Sequence, residues 1–391
     1  MIQIKLKLIE PLHLAASHTV SPTASTLEFI PGTALRGALA KKYLDQKGCV
    51  AEDENFQNWF LKEGVRFGSL TPLGNSLSYK LASEPLPLTA FTCKLYPGFR
   101  SDDFANHGVR DMLFEFMKGE DDFPDDRCYH ENCESHLVPF NGFYFSDSSY
   151  GKISIYKRLE TRTAIDSMTE TAAQRQLYSL EVLEEGQIFG GSIELETREQ
   201  ELAFKAMLLG DDAEIRLGAA RTRGFGLAKI FEAKLSGPAD KMLENLSERI
   251  KNFNDHALHT RSIGCKGNSL CFALTLRSDC ILVDEYLRCQ GIVTPQALGF
   301  YVHPALAQAT PLAAFCRTRL VDGWNAAQKN PRPTEAAICS GSVFVFGINA
   351  SPEELAGYLV NLEKYGMGER RQEGYGRVTV CDPFHLQEGQ R

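Results

Sequence analysis

The chain has 391 residues, of which 43% are hydrophobic and 24% are charged, and its formal net charge is −8. This composition is typical of a globular protein with enough apolar residues for two or three domains. No run in the sequence approaches the about 18 consecutive apolar residues that a membrane-spanning helix needs. The acidic balance argues against indiscriminate nucleic-acid binding, although a local basic surface stays open. We therefore expect a cytoplasmic protein.

The N-terminal segment begins with residues 1–9, which alternate apolar and polar side chains and are predicted to form a strand. A Ser/Thr-rich loop follows, and Pro31-Gly32 then predicts a turn before an amphipathic helix over residues 34–44. Thr33 is the predicted N-cap of that helix. Strand, loop, Pro-Gly turn and helix in this order predict the first half of a ferredoxin-like unit.

The middle of the chain, residues 49–138, is irregular and acidic and contains several cysteines and histidines. We interpret it as an insertion with one helix near residues 109–117. Regular patterns return with a predicted strand over 187–195, a helix over 200–209 and a closing strand over 227–234.

A second unit begins after a polar helix, predicted over 240–253, and a Gly/Lys/Asn stretch at 264–268. Its predicted elements are strands over 270–276 and 343–348, a helix over 352–362 capped by Ser351, and a last strand over 377–381. We predict an α+β protein with a first domain at 1–236, a helical linker at 237–268 and a second domain at 269–391.

Two glycine-arginine loops recur at an offset of 150 residues, just before the closing strand of each predicted domain. Loop 1 is Arg221-Thr-Arg-Gly-Phe-Gly226, and loop 2 is Arg371-Gln-Glu-Gly-Tyr-Gly376. Glycines let backbone N–H groups approach a phosphate, and arginines add charge and forked donors. A single such loop would more often be a solvated turn, but two copies favour RNA binding. The predicted RNA-binding residues of the loops are Arg221, Arg223, Gly224, Phe225, Gly226, Arg370, Arg371, Gly374, Tyr375 and Gly376.

The aromatic residue between the glycines has two interpretations. Phe225 and Tyr375 are placed to stack on splayed bases, as in single-stranded RNA recognition, or to pack under their loops. The sequence leaves both alternatives open.

Several short motifs, in order from residue 30 to residue 380, resemble the RAMP superfamily of CRISPR effector subunits, and within it the large two-domain subunit of type III-D complexes. Besides the two loops, the matching segments are residues 30–39, 162–166, 177–189, 323–325 and 341–344. The resemblance implies two ferredoxin-like domains of the RNA-recognition type, with the large insertion in the first. It also implies a role in holding the guide RNA, with its 5′ repeat-derived handle as the expected segment.

The same resemblance extends the RNA-binding set. It allows Arg36, in the helix after Pro31-Gly32, to face RNA, although a surface arginine of an amphipathic helix is the alternative. Arg162 lies in a matching segment. Loop 1 is the better candidate for direct contact because it shares its domain with both arginines, whereas loop 2 contacts RNA or a neighbouring subunit. The implied partners are guide RNA, a large polymerase-like subunit and backbone RAMP subunits.

A metal site is predicted in the insertion, where three cysteines and three histidines fall within 44 residues. Zinc takes four tetrahedral N or S ligands, and a poorly patterned insertion benefits from a metal. The resemblance implies a zinc site from a cysteine near residue 93 and a later cysteine pair. The predicted ligands are Cys93, His107, Cys128 and Cys133, with His130 or His136 as alternatives to His107. Buried thiols with solvated histidines are the other interpretation.

Catalysis is not expected. His13 and His18 are candidates for general acid-base chemistry, but they lie in a Ser/Thr-rich loop that is more simply solvated. Related backbone subunits carry an acidic residue in the loop before Pro31-Gly32, whereas residues 15–27 contain no Asp or Glu. Asp166 is the remaining acidic candidate. We predict a non-catalytic guide-RNA-binding subunit in antiviral defence, with a RAMP endoribonuclease as the alternative.

Overall fold

The computed structural model of the chain describes most of its residues. The described ranges are 1–16, 23–48, 52–62, 64–74, 83–100, 102–103, 105–118, 126–146, 150–165, 172–210, 213–235, 242–259, 267–325 and 329–386. His18, Asp166 and most of the predicted boundary at 264–268 lie outside them.

The chain alternates short strands with a few helices. The strands are β1 (Ile2–Leu8), β2 (Thr23–Ala24), β3 (Val65–Phe67), β4 (Thr71–Gly74), β5 (Glu84–Pro85), β6 (Ala90–Cys93), β7 (Val109–Asp111), β8 (Leu137–Pro139), β9 (Phe143–Ser146), β10 (Tyr150–Ile153), β11 (Lys157–Ile165), β12 (Ala172–Leu183), β13 (Ile188–Leu195), β14 (Glu214–Arg216), β15 (Leu227–Leu235), β16 (Leu270–Leu276), β17 (Leu282–Val283), β18 (Cys289–Gln290), β19 (Thr310–Phe315), β20 (Thr318–Val321), β21 (Trp324–Asn325), β22 (Asn330–Pro331), β23 (Glu335–Ile338), β24 (Val343–Ile348) and β25 (Val378–Val380). The α-helices are α1 (Gly32–Lys47), α2 (Glu54–Phe56), α3 (Leu113–Phe116), α4 (Arg198–Leu208), α5 (Met242–His259), α6 (Pro295–Tyr301) and α7 (Pro352–Tyr365).

The first sheet is antiparallel and has the order β14-β15-β1-β13-β3, with β4 also paired to β13. Its strands β1, β3, β13 and β15 stand in the order of the four strands of a ferredoxin-like unit, and α1 and α4 are the two connecting helices. Alternate residues of β1 are buried, because one face of the sheet packs against both helices. The other face of β1 carries Gln3, Lys5 and Lys7.

The second sheet repeats this arrangement with the order β19-β24-β16-β25. The helix α6 lies between its first and second strands in chain order, and α7 lies between the third and fourth. The two helices and α5 share one hydrophobic core with this sheet. The chain is therefore a mixed α+β protein built on antiparallel sheets. The assignment of the two sheets to separate domains, with boundaries at 236 and 269, stays a prediction.

The segment between α1 and β11 is more regular than the sequence suggests. Within the range 49–138, which the sequence assigns to an insertion, β3 and β4 belong to the first sheet. Two further three-stranded sheets follow, β10-β9-β5 and β7-β6-β8. The helix predicted near residues 109–117 is wrong at its start, where β7 precedes the short α3. Side chains of α3 are buried in the core of the second sheet, so this segment packs against the second half of the chain.

Several local predictions are confirmed. The strands over 270–276 and 343–348 have the predicted bounds. Ser351 caps α7 and forms a full capping box with Glu354. The N-cap assigned to Thr33 is wrong, because α1 begins at Gly32 and Pro31 occupies the cap position without a side-chain bond. Among the described residues, no helix is both long and apolar enough to cross a membrane.

Candidate RNA interface and metal centre

Loops 1 and 2 have the same backbone conformation. Each enters through a residue in the left-handed region, Ala220 or Arg370, both with φ of 56°. Each then makes one 3-10 turn and leaves through a left-handed glycine, Gly224 with φ of 80° or Gly374 with φ of 90°. Two backbone hydrogen bonds also match between the loops. The carbonyl of the last glycine accepts from Leu217 N–H in loop 1 (2.8 Å) and from Met367 N–H in loop 2 (3.0 Å). The N–H of the same glycine, Gly226 or Gly376, donates to the carbonyl of Pro11 or Asp279 (2.8 Å each).

Loop 1 is open to solvent. Arg221, Arg223 and Gly224 are all exposed. A Cβ atom placed on Gly224 would meet no heavy atom within 4 Å among the described residues, so the backbone here is open to a ligand. Arg223 donates from Nη1 to the Tyr178 hydroxyl at 2.8 Å, whereas the Arg221 guanidinium has no partner in the described part of the chain. The loop therefore presents an open glycine backbone beside two arginines.

Arg162, in β11, completes this arginine cluster. Its guanidinium lies 4.3 Å from the centre of the Phe225 ring. Its Nη1 donates to the Arg223 carbonyl at 3.2 Å, and its Nη2 donates to Glu160 at 3.1 Å. Phe225 is fully buried, so the structure favours packing under the loop over base stacking. The ring supports Arg162 from below through a cation–π contact.

Loop 2 is buried against the first half of the chain. A Cβ on Gly374 would lie 2.6 Å from the Phe67 carbonyl oxygen, and a Cβ on Gly32 would lie 2.4 Å from the Glu373 carbonyl oxygen. Two glycines thus allow loop 2 to approach the start of α1 and the end of β3. Tyr375 is 8% exposed and lies under the Arg370 guanidinium, 5.0 Å away. Arg371 is exposed at the edge of the contact.

Glu373 joins loop 2 to three arginines. It pairs with Arg36 at 2.9 Å, Arg332 at 2.8 Å and Arg370 at 2.6 Å, and its side chain is only 5% exposed. Burial alone would raise the pKa of Glu373, but Arg370 and Arg332 outweigh it and lower the pKa below its usual value. Arg36 also donates to the Phe60 carbonyl at 3.1 Å, so its charge is satisfied inside the protein.

The structure thus separates the predicted RNA-binding residues into two groups. Arg162, Arg221, Arg223 and Gly224 come together at an exposed surface, with Phe225 and Gly226 buried beneath them. Arg36 and Arg370 meet at Glu373 instead, Gly374, Tyr375 and Gly376 are buried beside them, and Arg371 is exposed. Whether any of them contacts RNA stays a prediction.

Three participants in these contacts were missed in the sequence. Glu373 stands at the position in loop 2 that Arg223 occupies in loop 1, and this reversal of charge is visible once the loops are aligned. It could have indicated that loop 2 does not face phosphates. Arg332 and Tyr178 had no comparable signal, because their roles depend on hairpins that bring distant segments together.

The predicted metal ligands come together in one cluster. One donor atom from each of Cys93, His107, Cys128 and Cys133 lies within 4.8 Å of all the others. The Cys93 and Cys133 sulfur atoms are 3.8 Å apart. Tetrahedral zinc with bonds of about 2.3 Å would place two sulfur ligands about 3.8 Å apart, so the cluster fits this ion.

The protonation of the cluster also suits a cation. Burial alone would raise the pKa of the Cys93 thiol, but the backbone N–H groups of Tyr96 and Leu95 lower it overall. Burial lowers the pKa of His107, with help from the neighbouring His130, and favours the neutral imidazole that ligates metals. Burial, with the adjacent thiols, raises the pKa of Cys128 to about 11. A bound cation would favour its thiolate.

The geometry also distinguishes the three candidate histidines. His107 Nδ1 lies 3.2 Å from the Cys128 sulfur. His130 stacks on the His107 ring with 4.0 Å between centroids, and His136 pairs with Asp126 at 3.1 Å. His107 is therefore the histidine that the described residues place among the cysteines.

One of the catalytic candidates, His13, is buried. His13 is 4% exposed, and its Nδ1 lies 2.8 Å from the Glu181 carbonyl oxygen. His18 and Asp166 lie outside the described residues. The absence of catalysis stays a prediction.

These features define a class, an α+β protein of antiparallel sheets that presents a basic glycine loop. The sequence profile of the RAMP superfamily matches residues 5–229, more than half of the chain. The chain belongs to the RAMP superfamily.

Comparisons with other proteins give weaker similarities. The chain is similar to a chain of the type III-B Cmr-beta complex bound to cognate target RNA, with a TM-score of 0.44 and 12% identity over 88% of this chain and 86% of that chain. It is also similar to a Cas6 protein in a product complex, with a TM-score of 0.32 and 13% identity over 57% of this chain and 84% of that chain. The comparison with curated protein sequences gives no match.

Proposed function

We propose that this RAMP protein is a non-catalytic subunit of a type III CRISPR ribonucleoprotein, of the type III-D kind, that grips the guide RNA at its 5′ repeat-derived handle. The observation that carries the proposal is that Arg221, Arg223 and Gly224 are exposed together, with the half-buried Arg162 bonded to the Arg223 carbonyl beside them. Two ferredoxin-like domains would frame this surface. The partners would be the large polymerase-like subunit and backbone RAMP subunits, and the role would be antiviral defence.

The arginine cluster suits a phosphate backbone for two reasons. Within the described part of the chain, Arg221 has no partner and the guanidinium of Arg223 has only the Tyr178 hydroxyl. Both charges can therefore pair with phosphate without first breaking an ion pair. Gly224 adds a site where a phosphate can approach the backbone without a Cβ in its way. A net charge of −8 suits a subunit that grips one short RNA segment.

Binding of a single-stranded guide RNA with its repeat handle tests the proposal. Replacing Arg221 and Arg223 together by alanine should weaken binding and reduce the salt slope by roughly 1.4, since each contact to a single strand contributes about 0.7. Arg288→Ala is a matched control, because Arg288 is 73% exposed but lies on the hairpin of β17 and β18. Equal affinity of the double variant and the wild type would contradict the proposal. Site-specific cleavage of the repeat without metal would instead support the endoribonuclease alternative.

We also propose that Cys93, His107, Cys128 and Cys133 hold one structural zinc ion. It would fix the loop that carries Cys128 and Cys133 to the end of β6, next to the β7-β6-β8 sheet. Elemental analysis of the purified protein should find about one zinc per chain, and Cys128→Ser should lower that content and the melting temperature. Cys289→Ser is the control, because Cys289 is exposed and lies outside the cluster. Metal-free protein with unchanged melting would contradict this proposal.

A further inference from the structure

Two aromatic side chains stand exposed on the face of the first sheet that points away from α1 and α4. Phe231 in β15 is 40% exposed, and Tyr156, just before β11, is 50% exposed. Both line a pocket of about 660 Å³, together with Lys7 and Gln187. We call it the sheet-face pocket. Flat rings beside cationic side chains are the groups that bind single-stranded nucleic acid without reading its sequence.

Phe231, which lines this pocket, lies at a β-bulge. Leu6 of β1 pairs with Ile230 of β15, but the next residue, Lys5, pairs with Glu232, so Phe231 is the extra residue. Ile230 is buried in the core on the helix side. Phe231 follows Ile230 and so lies on the opposite face, and the bulge keeps Glu232 on that face as well before Ala233 returns to the core.

Tyr156 is held on the other side of the pocket by a fixed polar contact. The Gln187 side chain accepts the Tyr156 N–H at 2.9 Å and donates to the Tyr156 carbonyl at 2.8 Å. Gln187 is 5% exposed, so this contact is sheltered from water. The backbone that carries the Tyr156 ring is therefore fixed before any ligand arrives.

Two lysines lie at or next to the pocket and can reach an anionic ligand. Lys7 and Lys229 are exposed, and neither has a partner in the described part of the chain. Of the two acidic residues at the pocket, Glu185 is paired with Arg158 at 2.7 Å, which leaves Glu184. Farther along the same face, Lys5 and Lys234 both pair with Glu232. Within the pocket Lys7 balances Glu184, and Lys229, which pairs with Lys7 on one side and with Glu214 on the other in the strand register, adds a cation next to the pocket.

We propose that the sheet-face pocket is a second RNA site, where bases of single-stranded RNA continuing from loop 1 stack on Phe231 and Tyr156. This inference rests on the proposed function of loop 1. Loop 1 ends at Gly226, and β15 runs directly from it to Phe231, five residues or about 17 Å farther along the strand. Lys229 lies between them on the same strand. The path from loop 1 therefore passes the cation of Lys229 before it reaches the aromatic ring of Phe231.

Binding of single-stranded RNA to Phe231 variants tests the inference. Stacking contributes about 1–3 kcal/mol per base, so Phe231→Ala should weaken binding about five- to one-hundred-fold. Phe231→Tyr should bind as the wild type does, and Phe231→Leu should resemble the alanine variant, because stacking needs a flat ring. The salt slope should not change, in contrast to the loop 1 variants. Phe300→Ala is the matched control, since Phe300 is 73% exposed on α6.

The outcomes separate the two proposals. RNA that cross-links to Phe231 or Tyr156 through a photoreactive base would support the inference directly. Wild-type affinity of Phe231→Ala, together with weak binding by the loop 1 variants, would overturn the sheet-face site and leave loop 1 standing. If Phe231→Ala lost a co-purifying subunit but kept the RNA affinity of the wild type, the sheet-face pocket would be a protein interface and the inference would be overturned. Absence of RNA binding by the wild type would contradict the proposed function itself.

Discussion

Loops 1 and 2 have nearly the same backbone but opposite surroundings. Both turn through left-handed residues at matching positions and are fixed by matching hydrogen bonds. Loop 1 lies open, whereas loop 2 contacts Gly32 and Phe67 of the first half of the chain. The spacing of glycines therefore determines the shape of such a loop, and the packing around it determines whether a ligand can reach it.

The charge at one position follows this division. Arg223 in loop 1 faces solvent and the Tyr178 hydroxyl, whereas Glu373 at the matching position of loop 2 is buried among three arginines. An acid is suited to an internal contact with arginines, and an arginine is suited to phosphate. Loops 1 and 2 thus carry opposite charges at the position whose surroundings differ, and both carry glycine where the backbone is left-handed.

Substituting the matching glycines should give the largest difference between the loops. Gly374→Ala would place a Cβ 2.6 Å from the Phe67 carbonyl oxygen in a left-handed conformation, and should cost about 3 kcal/mol of unfolding free energy. The Cβ of Gly224→Ala would meet open space. This substitution should lower the free energy of unfolding by only about 1 kcal/mol, because alanine is strained in the left-handed conformation. Urea unfolding of both variants measures the difference. Equal costs would show that the packing of loop 2 does not distinguish it from loop 1.

The next largest effect is expected at Glu373. Glu373→Gln leaves three arginines without their shared counter-charge. It should lower the free energy of unfolding by about 2 kcal/mol at pH 7, which is less than for a fully buried ion pair because the arginines are partly exposed to water. The folded pKa of Glu373 lies below its unfolded value of about 4.3, so its stabilisation is present above that pH and is lost as the pH falls through the folded pKa.

Unfolding at several pH values checks this prediction. Between about pH 4.3 and the folded pKa, the wild type should lose more unfolding free energy than Glu373→Gln does. Arg223→Gln is the matched control at the same position of loop 1, and it should leave stability nearly unchanged. Parallel pH profiles for the wild type and Glu373→Gln would contradict the role of Glu373.

The sequence allowed the metal site to be predicted better than the loop surroundings. Cys93, His107, Cys128 and Cys133 fall within 41 residues, and their residue types together with the family resemblance indicated the set that the structure brings together. The first strand, β1, and the helix α1 after it were also predictable, because hydrophobic alternation and the Pro31-Gly32 turn are local signals. By contrast, the partners Arg36 and Glu373 are 337 residues apart.

The same limit explains the misjudged start of the insertion. β3 and β4 are three and four residues long, too short for a clear alternating pattern, and they are strands only because β13 lies beside them. Phe231 was missed for a related reason. A bulge reverses the inward and outward alternation along β15, so the sequence alone gave no sign that this ring would face the solvent.

Reversing the charge in loop 1 should sharpen the comparison through RNA affinity. Arg223→Glu gives loop 1 the acid of loop 2, removes one phosphate contact and adds repulsion. Guide-RNA binding should weaken about tenfold or more, and further than with Arg223→Ala. Binding titrations at several salt concentrations should show that the difference in RNA affinity between Arg223→Glu and Arg223→Ala becomes smaller at high salt, because screening weakens the repulsion. A difference in RNA affinity that does not depend on salt would indicate a folding defect of Arg223→Glu and not a lost phosphate contact.

The smallest effect is expected from Arg162→Lys. The substitution keeps the positive charge but removes the planar group that lies on the Phe225 ring and donates to the Arg223 carbonyl. RNA affinity should fall only about threefold, with an unchanged salt slope, because the number of phosphate contacts stays the same. In loop 2 the corresponding contact is Arg370 on Tyr375, where Arg370→Lys should lower stability and leave RNA affinity alone. If Arg162→Lys and Arg370→Lys lowered RNA affinity equally, loop 2 would also have to contact RNA. The distinction between an RNA-binding loop 1 and a buried, structural loop 2 would then be wrong.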